Sequence, residues 1–292
     1  MNGRVKELRG ERFFDLDIDI FVNRQQESFS LCQHTHDFVE ICIVGEGCGF
    51  HYIEDQVLPV KQGDLFLIPI GTSHVFRPSS PERDKVLVVY NCIFRNRAIE
   101  NWRHYFAEDS EMLRMIYYPH ERKGRWLQFH DKHNTLQAMF HNMHWEYLKR
   151  NQGCEIILTT SLIQMLMLLQ RLEMERDFTP SPNNKLEDVL HYIKNNYSKN
   201  ITAQHVADHF YMSVSHFQRL FKKSTELTFI QYLQNIRIQK CCDLLESTDI
   251  SIHETANLVG YLDMKFFHAL FRKKTGVTPR QYRQNYQEPK ID

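Results

Sequence analysis

His34, His36, Glu40 and His74 are the residue types of a three-imidazole, one-carboxylate metal site. Imidazole and carboxylate together suit Zn, Fe, Mn or Ni. His34 and His36 are two residues apart, so on a strand they share one face. The same groups can instead hydrogen-bond a polyhydroxylated ligand, for which Phe38, Tyr52 and Phe76 supply apolar contact. The residues alone leave both uses open, a divalent metal or direct contact with the ligand. His51 lies close by in sequence but reads as a hydrogen-bonded core histidine. No separate general acid or base stands beside the cluster, which points to binding rather than catalysis.

A second chemistry sits in the C-terminal third, which contains an internal repeat. A shift of 50 residues places Phe217, Leu220 and Phe221 on Phe267, Leu270 and Phe271, and Lys222-Lys223 on Arg272-Lys273. Thr225, Thr228, Gln231 and Tyr232 then meet Thr275, Thr278, Gln281 and Tyr282. Upstream the offset is 49, pairing Ala207 with Ala256, so the second copy has one extra residue in its turn. Each copy reads as helix, tight turn, helix, with Thr202, Ser213, Ser251 and Asp263 as N-caps and a small alanine where the helices cross.

The second helix of each unit turns Phe, Leu and Phe inward, and its opposite edge is free to enter a DNA major groove. In copy one that edge offers Ser213, Ser215, His216, Gln218, Arg219, Lys222 and Lys223. Gln pairs with adenine edges and Arg with guanine O6 and N7. In copy two it offers Met264, Lys265, His268, Ala269, Arg272 and Lys273, and Ala269 stands where copy one has Arg219. Direct base reading is therefore expected from copy one. Copy two is expected to anchor phosphates through Lys265, Arg272 and Lys273.

Two kinds of element must position these groups. The chain has 292 residues, 42% apolar and 25% charged, enough for two cores and inconsistent with wholesale disorder. Short apolar runs broken by Gly, Pro and Asp, from Phe29 to about Phe94, predict an all-β barrel or sandwich. From about Leu136 to Arg176 the period becomes helical, and Leu158, Leu162, Met165, Leu169 and Leu172 form a seam of about two heptads. Such a seam serves either a dimer coiled coil or a helix lying on its own domain. The polar, proline-broken stretch Thr179-Pro180-Ser181-Pro182-Asn183-Asn184 predicts a linker. The expected organisation is a sensing domain over 1–130, a helical dimerisation segment over 131–178, a linker over 179–184 and a DNA-binding domain over 185–286.

Net charge is zero, yet residues 1–182 carry −4 and residues 183–292 carry +4, which suits a polyanion partner for the C-terminal part. Seven cysteines without a CxxC pair read as reduced thiols. The N-terminus shows no secretory h-region, and the apolar stretch Ile156 to Leu169 is short for a membrane span, so a cytoplasmic chain with no membrane partner is expected.

The segment 200–283 resembles the DNA-binding domain of the AraC/XylS family of transcription factors. The resemblance rests on His216-Phe217-Gln218-Arg219-Leu220-Phe221-Lys222-Lys223, Arg237-Ile238-Gln239-Lys240, Ala256 with Gly260-Tyr261, and Thr275-Gly276-Val277-Thr278-Pro279-Arg280-Gln281-Tyr282. It implies seven helices, with two recognition helices held about one DNA turn apart by a linking helix. Tyr211 stands where the family's first turn has Gly, so that turn is expected to differ in backbone; Cys241 and Ala269 replace the family's Ala and Arg.

His34-Thr35-His36, Glu40 and Gly47, then Gly63, Pro69, Gly71 and His74, resemble the two motifs of the cupin barrel, with Pro78 where the second motif ends in Asn. The combination resembles rhamnose-operon-type activators. The implied fold is a two-domain α+β chain, a cupin double-stranded β-helix with a helical dimerisation segment followed by an all-α double helix-turn-helix domain. The implied function is a non-enzymatic, DNA-binding transcriptional regulator that answers to a small carbohydrate, acts as a homodimer on promoter DNA and recruits RNA polymerase. The competing expectations are a metal-dependent cupin enzyme with an accessory DNA-binding domain, and a DNA-binding protein with no effector.

Overall fold

The computed structural model describes residues 6–287, apart from 16–17, 30, 55, 80–85, 108–109, 123–124, 177–183 and 226. The expected linker lies outside the described residues except for Asn184, which opens a helix.

Two sheets form the N-terminal barrel, and one strand belongs to both. That strand is β4 (Val39–Ile53), 15 residues long. Its first part pairs antiparallel with β6 (Asp64–Ile68) and β8 (Leu87–Phe94), which extend to β9 (Leu127–His130) and β2 (Ile20–Gln26). Its last part pairs with β5 (Gln56–Lys61) and β7 (His74–Pro78), and β7 meets β3 (His34–His36) beside β1 (Lys6–Leu8). The strand crosses between sheets at a bulge between Val44 and Glu46. Gly47 follows at φ +80°, where a Cβ would stand 1.8 Å from the Val86 carbonyl oxygen, so no other residue fits.

Alternation along the strands separates two cores. Ile41, Ile43, Leu65, Leu67, Val88 and Cys92 face outward and are covered by α1 (Glu111–Tyr117), α2 (Thr135–Lys149) and α3 (Cys154–Arg176). Cys42, Val44, Phe66, Ile68 and Val89 face the barrel interior. Leu158, Leu162, Met165 and Leu169 are 0% exposed against the sheet. The heptad seam is thus consumed within one chain and cannot form a coiled coil with a second copy. The apolar stretch read as too short for a membrane belongs to a longer helix, of which Cys154–Glu175 matches a span by length and composition. Burial on the sheet, rather than shortness, explains its apolar face.

Among the described residues seven helices follow: α4 (Asn184–Asn196), α5 (Ala203–His209), α6 (Val214–Thr225), α7 (Phe229–Ser247), α8 (Ile252–Leu258), α9 (Met264–Thr275) and α10 (Pro279–Gln287). Helix α7 serves two cores. Tyr232, Leu233 and Ile236 pack with Phe217 and Phe221 of the first unit, whereas Ile238, Cys241, Cys242 and Leu245 pack with Phe267 and Phe271 of the second. The repeated Thr-x-x-Gln is a helix start. Thr228 and Gln231 form a capping box at α7, and Thr278 and Gln281 make the same reciprocal contacts at α10.

The first turn corrects the expectation drawn from Tyr211. Met212 N donates to Ala207 O at 2.8 Å and Tyr261 N to Ala256 O at 2.9 Å, the same closure in both copies. Tyr211 itself takes the left-handed φ of +54° that Gly260 takes at +93°. A tyrosine is accommodated because it is 98% exposed. A Cβ at Gly260 would lie 2.6 Å from the Ser198 carbonyl oxygen, so glycine is required in copy two for space as well as for φ.

Candidate functional site

A cavity of about 370 Å³ opens in the barrel. Of the residues expected to bind a ligand, His34, Phe38, Glu40, His74 and Phe76 line it. His36 sits behind them, 1% exposed and stacked on Phe38 at 4.6 Å. Tyr52 does not belong to the cavity, which corrects the expectation. It lies on the opposite face of β4 from His51, and its hydroxyl donates to Asn235 O of α7 at 3.2 Å. His51 points inward instead, stacked 3.8 Å from Phe76 with its Nε2 3.2 Å from His74 Nδ1.

The facing wall was missed in the sequence. Phe21, Asn23, Gln25 and Glu27 alternate along β2 and its end, and Asn23 faces Asn91 of β8, whose Nδ2 donates to Asn23 Oδ1 at 3.0 Å. The signal was the period of two in residues 20–27, which the many polar side chains obscured. Among the described residues lining the cavity there is neither Lys nor Arg. Glu27 is buried there, and desolvation, reinforced by the charge of Glu40, pushes its carboxyl up to about 8.

His36, Glu40 and His74 converge, with one donor atom of each lying within 4.8 Å of the others. Glu40 Oε2 is 3.4 Å from His36 Nε2 and 3.3 Å from His74 Nε2. The Nδ1 atoms are held from behind, His36 by the Phe38 carbonyl at 2.7 Å and His74 by His51. Outer contacts of this kind orient imidazoles for a cation. Burial raises the Glu40 pKa and lowers His36 and His74, to about 4 and about 3. The uncharged forms are therefore favoured, and the three groups suit either a shared proton or a divalent cation in its place. His34 stands outside the convergence, with Nδ1 3.0 Å from the Cys32 carbonyl.

The helical domain presents the second surface. Ser213 Oγ accepts from His216 N at 3.3 Å and Asp263 Oδ1 from Phe266 N at 3.0 Å, starting α6 and α9 at equivalent points. Phe217 and Phe221, and Phe267, Leu270 and Phe271, are buried. Ser215, His216, Gln218, Arg219, Lys222 and Lys223 are exposed on α6, and Lys265, His268, Arg272 and Lys273 on α9. Met264 is half-buried against the second core. The barrel packs near the C-terminal end of α6, around Ser224 and Thr225, so the N-terminal edge of α6 remains open.

Comparison with known proteins agrees with this division. Residues 17–166 match the profile described as an AraC-like ligand binding domain, and residues 206–285 match a helix-turn-helix domain. The chain belongs to the AraC family of transcriptional regulators. It is 26% identical to the HTH-type transcriptional activator RhaR of Mannheimia succiniciproducens over 87% of either chain. It is 25% identical to the activator RhaS of Pectobacterium atrosepticum, covering 88% of this chain and 89% of that one. Among solved structures, ToxT of Vibrio cholerae O395 aligns over 93% of this chain and 99% of its own, with 12% identity and a TM-score of 0.36.

The two domains of this AraC-family regulator share a core. Phe50, Tyr52, Val57 and Val75 of the barrel pack with Phe217, Phe221, Phe229 and Tyr232. Tyr232 returns a hydrogen bond, its hydroxyl donating to Val57 O at 3.0 Å. Arg77, 1% exposed on β7, is the polar part of this junction. Its Nη1 donates to Ser28 O at 3.0 Å and also to Leu31 O, and both residues line the cavity.

Proposed function

We propose that this regulator binds a neutral, polyhydroxylated, sugar-like effector in the barrel and activates carbohydrate-utilisation genes from promoter DNA. The cavity carries the reading. Its amide, imidazole and carboxyl groups offer paired donors and acceptors, Phe21, Phe38 and Phe76 offer ring faces, and among the described lining residues none is a Lys or Arg that would favour a phosphorylated or carboxylate ligand. Its volume of about 370 Å³ lies near the lower end for ligand pockets, about 300–1,000 Å³, and suits one small molecule.

The effector would act through domain arrangement, since a ligand shifts only an equilibrium whose two states it binds differently. His36, Glu40 and His74 would hold a divalent cation, which would draw ligand hydroxyls toward it when bound; His34 and Glu27 remain free to meet the effector directly. The protein would work as a cytoplasmic homodimer and recruit RNA polymerase. With the α3 seam spent internally, the dimer contact would fall at the α2–α3 hairpin end, where Trp145, Leu148 and Ile156 are exposed. Sedimentation tests that contact, and a monomer with full operator affinity opposes it.

The deciding experiment is a thermal-shift screen of neutral monosaccharides, followed by operator binding with and without each hit. A true effector raises the melting temperature with concentration and changes operator affinity. It should also be recovered chemically unchanged, whereas turnover would favour the metal-dependent enzyme. Failure of every neutral sugar, with a response to a sugar phosphate, overturns the reading.

A further inference from the structure

The extra residue of the second helix-turn-helix is Leu262. The turns close identically through Met212 and Tyr261, and the next helices are capped by Ser213 and Asp263, so nothing in copy one corresponds to the residue between Tyr261 and Asp263. Leu262 is 87% exposed. A leucine just before an N-cap usually packs back on the fourth residue of the helix, here Phe267. Its exposure excludes that use. Phe266, three residues into the unit, is also 49% exposed, where copy one has the polar His216.

One turn further along α9 comes the exposed Ala269, in the place of Arg219, and then exposed Arg272 and Lys273. Phe266 and Ala269 lie one turn apart on α9 and Leu262 stands just before its N-cap, so the leading edge of the unit is apolar. Lys265 and His268 flank it, and the basic pair follows. This exposed apolar edge, with Leu262 at 87% and Phe266 at 49%, can take an occupant. The basic groups around it, and its equivalence to the edge of α6 in the family's DNA-reading domain, commit that occupant to DNA. In the major groove the apolar base feature is the thymine 5-methyl group.

We propose that the second recognition helix reads thymine methyl groups through Phe266 and Leu262, with the small Ala269 letting the helix approach the base edges. Copy two then specifies sequence by apolar contact, while copy one does so by hydrogen bonds from Gln218 and Arg219. This inference rests on the reading of the chain as a sequence-specific DNA-binding regulator.

The test uses the full-length protein and an operator obtained by in-vitro selection. Bases whose preference relaxes in Arg219→Ala mark the half-site of copy one; the half-site one helical turn away belongs to copy two. Replacing a contacted thymine there by deoxyuridine removes only the methyl group and should weaken binding about fourfold, the worth of one buried methylene-sized group. The same replacement in the first half-site should leave affinity unchanged. Phe266→Ala should bind the thymine operator more weakly and no longer distinguish it from the deoxyuridine operator. The deoxyuridine series on the natural chain needs no variant to fold. Selected sites without thymine in the second half-site, or full affinity after substitution there, overturn the proposal while leaving the DNA-binding reading intact. Loss of all sequence preference at selection defeats that underlying reading instead.

Discussion

Arg77 Nε donates to Gln239 Oε1 at 2.8 Å, joining a strand of the effector barrel to the helix that holds both DNA-reading units. Arg77 is flanked on β7 by Phe76, a wall of the cavity, and its Nη1 donates to the carbonyls of Ser28 and Leu31 at the cavity edge. One buried cation therefore touches the rim of the cavity and the middle of α7. A ligand that displaced Ser28 or Leu31 would thereby pull on α7, against which both recognition helices pack.

Gln239→Leu removes the acceptor from that route without touching either binding surface. The variant should bind effector and DNA separately, yet the effector should no longer change operator affinity. Arg77→Ala should in addition destabilise the chain by about 2–4 kcal/mol, because buried partners lose their hydrogen bonds. Urea unfolding and effector-dependent anisotropy measure both quantities. A fully preserved effector response in Gln239→Leu excludes this route.

Glu27 makes stability depend on pH. Its pKa is about 8 in the fold, raised by burial first and Glu40 second, against 4.5 ordinarily. Between those values the native chain keeps a proton that the unfolded chain releases, so stability falls as pH rises from about 4.5 to about 8 and levels off above. Glu27→Gln should abolish this component and be more stable than the natural chain at pH 8–9. Denaturation midpoints from pH 5 to 9 test it, and a difference between the two proteins that does not vary with pH refutes it.

Arg219→Ala should weaken operator binding by about 1–3 kcal/mol and relax preference at one base pair. Lys223→Ala should weaken all sequences alike and lower the salt slope by about one. Titrations at several salt concentrations separate the two. Equal loss on operator and random DNA in Arg219→Ala removes Arg219 from the base-reading group.

Tyr211 and Gly260 occupy the same turn position and should respond oppositely to exchange. Tyr211→Gly relieves a left-handed backbone that costs a non-glycine residue about 1–2 kcal/mol, partly offset by a more flexible unfolded chain. A small gain in stability is expected. Gly260→Ala drives a Cβ against Ser198 O at 2.6 Å and should cost more than the Tyr211 exchange gains. Urea midpoints measure both, and a stabilising Gly260→Ala contradicts the geometry.

Chelation tests the His36–Glu40–His74 group. Protein reloaded with Zn²⁺ or Mn²⁺ should melt higher than chelated protein, by about 2.7 kcal/mol of stability at a hundredfold excess over Kd. His74→Ala should remove the increment. An undiminished response in that variant places the cation elsewhere.

The sequence by itself determined what depends on neighbours along the chain. Caps, turns and the inward Phe217 and Phe267 faces follow from local periodicity, and the two-copy repeat picked out the exposed edges of α6 and α9. The HxH and Glu40 pattern likewise placed side chains on one face of β3 and β4. What tertiary structure decided depends on segments far apart. Tyr52 faces α7 because the second sheet turns that side of β4 toward the helical domain. The α3 seam meets the sheet rather than a partner, a choice that periodicity leaves open. Glu27 and Asn91 join the cavity only through the pairing of β2 with β8. Arg77 finds Gln239 across 162 residues of chain, and no spacing rule reaches that far. Periodicity reports which face is buried, and only packing decides against what.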